Sequence, residues 1–93
     1  MPANGLSRHL VYGRRGIVCS NSPLAASTGI KIMQEGGNVF DAALACAAVE
    51  AVTLVPLCGL GADSFILAYD ASSGKVTGIN SSGVAATRAT ADY

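Results

Sequence analysis

Tryptophan is absent from the 93 residues, histidine occurs once, and charged residues make up only 13%. Each scarcity closes off a class of function. With His9 as the single imidazole and Cys19, Cys46 and Cys58 far apart, no C-x-x-C or Cys/His cluster exists to hold zinc. An odd, widely spaced set of cysteines is also a poor disulfide framework. Each is read as a small buried hydrophobe, and a reduced, cytoplasmic setting is expected. Six basic residues balance six acidic ones, so no net field draws the chain toward nucleic acid or an anionic membrane. Arg8, Arg14 and Arg15 do cluster near the N-terminus, but without an aromatic platform or recognition helix they are read as a solvated arm. The first fifteen residues lack the apolar core of a secretory signal. The most apolar stretch, Val39 to Leu57, is interrupted by Asp41, Glu50 and Pro56 and is too short for a membrane span.

What remains is unusually apolar. Hydrophobic residues make up 51% of the chain, the reverse of a disordered composition. A single domain of this size buries roughly 60–65% of the surface its unfolded chain exposes, so a lone core is marginal. Apolar surface beyond that needs covering from elsewhere.

Residues 1–15 form a polar arm without period, and residues 16–93 carry the pattern of an incomplete α/β segment. Gly16-Ile17-Val18-Cys19-Ser20 is short and β-branched, and is expected as a strand. Ser22 and Pro23 then open a helix, one as cap and one at the first helical position; it runs to about Glu35, where Gly36-Gly37 stops it. Asn38, with Asp41 three residues on, opens a second helix over Val39 to Thr53. That helix is alanine-dense and apolar on nearly every face, so burial on several sides is expected, with Glu50 exposed or partnered. After a glycine-bearing turn at Pro56–Gly61, Ser64–Asp70 and Lys75–Asn80 read as two strands joined by Ala71-Ser72-Ser73-Gly74. The stretch from Thr87 to Tyr93 reads as weakly structured or as the start of a helix. The order is strand, helix, helix, strand, strand, a layered α/β arrangement with helices on one sheet face and the other face uncovered.

Spacing alone assigns no chemistry. Gly59-Leu60-Gly61 lacks the third glycine and the Gly-Lys-Ser/Thr of a phosphate loop, and a strand follows it where a helix N-terminus would be needed. Asp41 and Glu50 stand about 13 Å apart along one helix and on different sides, too far for an acid/base pair. Asp63 and Asp70 flank opposite ends of one strand. Serines, threonines and cysteines are plentiful, but none adjoins a base and no Gly-x-Ser-x-Gly elbow is present.

Gly36-Gly37-Asn38-Val39-Phe40-Asp41-Ala42-Ala43 resembles the G-G-N-A-x-D-A-A signature of the gamma-glutamyltransferase family. Its neighbours follow in order: Gly16 to Ala25 resembles the family's G-x-V-x-[ST]…P-L-A-[ST] entry segment, Pro56 to Phe65 its P…G-[IL]-G-G-x-x-F turn, and Tyr69-Asp70 with Gly74-Lys75-Val76 its hairpin. The resemblance covers about Gly16 to Thr90. It implies an αββα N-terminal-nucleophile hydrolase fold and a cofactor-free enzyme. In that enzyme a threonine, freed by self-cleavage of a precursor, attacks an amide carbonyl with its own α-amine as base. It also implies that this segment opens the large subunit and needs the rest of that subunit and the small subunit as partners. Thr28, Thr53, Thr77, Thr87 and Thr90 match no position of the nucleophile motif, so no catalytic residue is assigned.

The family's substrate contact nearest this segment is an Arg-Glu pair after the second hairpin strand, whose arginine grips an α-carboxylate. Ser82 and Gly83 hold those positions here. Asn80 to Gly83 is more similar to the N-G-S-G-R-A-P of the family's divergent amidohydrolase-like members, with Val84 for its arginine and Ala86 for its proline. Ala62 likewise replaces the second glycine of the turn. Ser81, Ser82 and Gly83 are therefore the expected substrate-binding positions, and a gamma-glutamyl compound or another small amide the expected substrate. The other expectation is a non-enzymatic relic or interaction module that keeps part of the layer without catalysis.

Overall fold

The computed structural model describes residues 9–92, which fall into two compact units meeting in sequence at Gly59 and Leu60. Arg8 and the rest of the arm's first eight residues, and Tyr93, lie outside the described residues.

The first unit is a helix pair. Helix α1 spans Pro23–Gln34 and helix α2 spans Val39–Thr53. Ser22 caps α1 in an extended conformation, its Oγ accepting from the Ala25 N–H at 3.3 Å, and Pro23 occupies the first helical turn. At the other end Gly36 takes φ +99°, the left-handed conformation open to glycine. The Gly37 N–H then donates to the Ile32 carbonyl at 2.9 Å and the Gly36 N–H to that of Met33 at 3.2 Å. These are the two bonds of a Schellman closure. One residue later Asn38 starts α2: its Oδ1 accepts from Phe40 and Asp41, while Asp41 Oδ2 accepts from the Asn38 N–H at 2.9 Å. This reciprocal capping box satisfies donors that the helix itself leaves unpaired.

Thr53, at the end of α2, lies beside Ser22, at the start of α1, so the two helices run antiparallel. Their seam is made of small residues four apart: Ala25 and Gly29 on α1, Ala42 and Cys46 on α2, all buried. Backbones approach so closely that a Cβ on Gly29 would lie 2.6 Å from Cys46 Sγ and 3.1 Å from Val18 Cγ1. The Cys46 thiol donates to the Ala25 carbonyl at 3.1 Å.

Two expectations for this unit are corrected. Gly16–Ser20 is not a strand. A strand needs a neighbour to complete its ladder, and among the described residues the only sheet is the β1–β2 pair. The segment instead packs by side chain, Val18 against Gly29 and Met33 against Gly16. Nor is α2 buried on several sides. Only Ala42 and Cys46 are fully buried, while Leu44 is 74% and Val52 75% exposed, because α1 shields one stripe of a helix that is apolar all round.

The second unit is an antiparallel hairpin of β1 (Ser64–Asp70) and β2 (Lys75–Ser81), one residue longer than expected at its end, with Asp70 opposite Lys75 and Ser64 opposite Ser81. Gly74 at φ +67° closes the turn, its N–H donating to the Asp70 carbonyl at 2.8 Å. Phe65, Leu67, Tyr69 and Val76 share one face, and Ile66 and Ile79 the other. No residue of either strand is buried. Beyond β2 the described chain forms turns at Thr87–Arg88 and Ala91–Asp92, with no helix.

Candidate functional site

Ser81, Ser82 and Gly83 sit where the hairpin opens. Ser81 is the last residue of β2, paired with Ser64, and the chain leaves the ladder immediately after it. Two side chains then fix the path. Asn80 Oδ1 accepts from the Ser82 N–H at 3.0 Å, and Asp63 Oδ1 accepts from the Gly83 N–H at 2.7 Å. The second bond reaches across the mouth of the hairpin from the residue preceding β1. A Cβ on Gly83 would lie 3.0 Å from the same oxygen, so the absence of a side chain there permits the short approach.

The result is a solvent-exposed ledge of two hydroxyl residues and a glycine. Its amides at 82 and 83 already donate to side chains, so the ledge offers hydroxyl and carboxylate groups rather than a pair of backbone donors for an oxyanion. It can contact a substrate, but it contains no nucleophile–base pair. The sequence places Asp63 at one end of the first strand but does not show its bond to Gly83. The signal lay in the pairing: a residue just before β1 must face residues just after β2 once Ser64 and Ser81 are opposite.

The other singled-out residues serve structure. Asp41 caps α2 as expected. Glu50 finds a partner, accepting from the Ser20 hydroxyl, and the Ser20 Oγ in turn accepts from the Ser22 N–H at 2.9 Å. Thr53 Oγ1 lies 2.9 Å from both Ser22 Oγ and the Val49 carbonyl, and the Thr28 hydroxyl donates to the Leu24 carbonyl at 2.8 Å. Neither threonine is poised as a nucleophile. The Gly59–Gly61 turn leads into β1, and a Cβ at either glycine would meet nothing within 4 Å. Cys46 is buried as expected, but Cys58 is half-buried and Cys19 exposed. Among the described residues no three His, Cys, Asp or Glu gather to hold a metal, and no helix is long and apolar enough to cross a membrane.

At the turn of the hairpin, Asp70 gathers its own shell. Its carboxylate accepts from the Ser73 hydroxyl at 2.7 Å, the Ser72 hydroxyl at 2.8 Å and the Ser72 N–H at 3.0 Å. These bonds favour the charged form, led by that from Ser73, and lower its pKa from 3.8 to about 2. In the helical unit a groove of about 670 Å³ opens between Arg15, Ile30, Met33, Gln34, Asn38 and Val39, and none of Ser81, Ser82 or Gly83 lines it.

Helix, helix and hairpin in this order match a gamma-glutamyltranspeptidase from Pseudomonas nitroreducens, solved in complex with L-DON. The TM-score is 0.74 and the identity 30%, over 82% of this chain and 22% of that one. In sequence the chain is 39% identical over 82 residues to the glutathione hydrolase-like YwrD proenzyme of Bacillus subtilis, covering 88% of itself and 16% of that relative. It is 36% identical over 84 residues to the glutathione hydrolase proenzyme of Escherichia coli, covering 90% of itself and 14% of that relative. The gamma-glutamyltranspeptidase family model matches residues 25–93, and the chain belongs to that family, corresponding to its N-terminal region. It spans about a sixth of the length of these relatives.

Proposed function

We infer that this chain forms the opening part of a threonine-nucleophile amidohydrolase or acyltransferase acting on a small amide or gamma-glutamyl substrate. It supplies scaffold and one wall of the acyl pocket, at Ser81–Gly83, while the nucleophile comes from the remainder of the enzyme. One observation carries this reading: the family match over residues 25–93 in a chain spanning about a sixth of its relatives. The hairpin supports it. Strands apolar on both faces belong to sheets covered on both faces, and here Phe65, Leu67 and Tyr69 on one side and Ile66 and Ile79 on the other all face solvent. Ser82 and Gly83, in place of an arginine and a glutamate, favour the amidohydrolase-like branch of the family over the true gamma-glutamyl enzymes.

The gene beyond the codon for residue 93 tests the reading. An open frame carrying a small-subunit threonine is expected, and a stop codon would overturn it in favour of a non-enzymatic module. The purified 93-residue chain is expected to release no p-nitroaniline from gamma-glutamyl p-nitroanilide. Turnover by the chain alone would place the chemistry within it.

A further inference from the structure

We propose that Asp63 is a specificity-determining positioning residue, whose carboxylate fixes the Ser81–Gly83 wall and directs it toward acyl groups that lack a negative charge. The inference rests on the reading of that wall as part of the acyl pocket. Three observations lead to it. The 2.7 Å bond from the Gly83 N–H to Asp63 Oδ1 is charge-assisted and joins residues twenty apart, so Asp63 sets the backbone path of the wall. The missing side chain of Gly83 eases this approach, since a Cβ would sit 3.0 Å from Oδ1, tighter than ordinary contact. And Asp63 places a carboxylate at the edge of a ledge otherwise built from two hydroxyls and a glycine.

A fixed negative charge at a pocket wall acts on a ligand through space. An anionic group on the acyl portion meets repulsion there, whereas a neutral amide or an ammonium does not. Asp63 thereby separates substrates by charge without touching the reacting carbonyl. The influence of the charge falls on binding, in KM, whereas the bond to Gly83 holds the wall for either substrate.

The test uses the processed full-length enzyme and two probes that differ only in charge: gamma-glutamyl p-nitroanilide, and the same anilide with its α-carboxylate capped as the carboxamide. The wild type is expected to favour the capped probe in kcat/KM. Asp63→Asn keeps an acceptor for the Gly83 N–H but removes the charge. It is expected to shrink that preference about tenfold through KM, with kcat held. Asp63→Ala removes the bond as well, and is expected to lower turnover of both probes while Asp63→Asn restores it. An active wild type whose preference is the same in Asp63→Asn would overturn the assignment of Asp63. A wild type that favours the carboxylate-bearing probe would overturn the direction of selection, and one inert toward both anilides would instead overturn the glutamyl-type acyl pocket on which the inference rests.

Discussion

The helix pair and the hairpin both carry much apolar sequence, yet they hold themselves together in opposite ways. In the helical unit four small residues form a buried seam, and groups 21–31 positions apart are tied by Cys46–Ala25, Glu50–Ser20 and Thr53–Ser22 contacts. The hairpin has no buried residue at all, and relies on its ladder and its turn. An isolated two-stranded hairpin is marginal in water, so its regular form here depends on local chemistry: Gly74 in the left-handed region and the serine shell around Asp70. Tertiary packing organises one unit and turn chemistry the other.

Breaking the seam should have the largest effect. Gly29→Val forces a branched side chain into a space where even a Cβ lies 2.6 Å from Cys46 Sγ. A loss of about 3 kcal/mol, the upper part of the overpacking range, is expected in urea unfolding followed by helical circular dichroism. Hairpin amide resonances should keep their positions, and a matching loss there would erase the contrast between the units. Asn38→Ala removes half of the capping box and is expected to cost about 1 kcal/mol by the same measurement, with Asn38→Asp close to wild type.

The smallest effect falls on the hairpin alone and is set by pH. The Asp70 pKa is depressed from 3.8 to about 2, so its contribution to the turn is fully present above 3.8 and is lost as pH falls through about 2. The Ser72 and Ser73 resonances should therefore move between pH 4 and pH 2 while those of the seam stay in place. Asp70→Ala should abolish that transition, and its persistence would assign the pH response to another group.

What was legible in the sequence was whatever short-range chemistry decides. Ser22, Pro23, Gly36, Asn38 and Asp41 lie within a few positions of the backbone groups they satisfy, so both helices were placed to within a residue. The strands were equally readable from their turn. The failures share one cause, dependence on distant partners. Gly16–Ser20 has strand composition, but a strand exists only beside another, and that neighbour is not supplied among the described residues. Burial of Cys19 likewise needs a covering element, and it stands exposed. The apolar circumference of α2 was rightly seen, yet composition cannot say how much of it a chain of this length covers. The bond from Gly83 to Asp63 was not legible, because the two become neighbours only after seven residue pairs have zipped. The Ser81–Gly83 assignment itself came from family resemblance, since nothing in their spacing signals contact with a substrate.

The joint between the helices has a consequence for how this sequence can change. Glu35 to Asn38 finish one helix and begin the next with no spare residue, each backbone donor there having a named acceptor. One inserted residue would part this shared closure, because the two closing bonds of α1 and the cap of α2 occupy consecutive positions. Ala42 and Cys46 would then lose the fixed entry that seats them in the seam. Of the joint's side chains only that of Glu35 is free to vary, because Gly36 holds φ +99° and a Cβ on Gly37 would lie 2.6 Å from Ile32 Cγ2. Alignments of related chains should accordingly show substitutions at Glu35, glycine at 36 and 37, and no gaps.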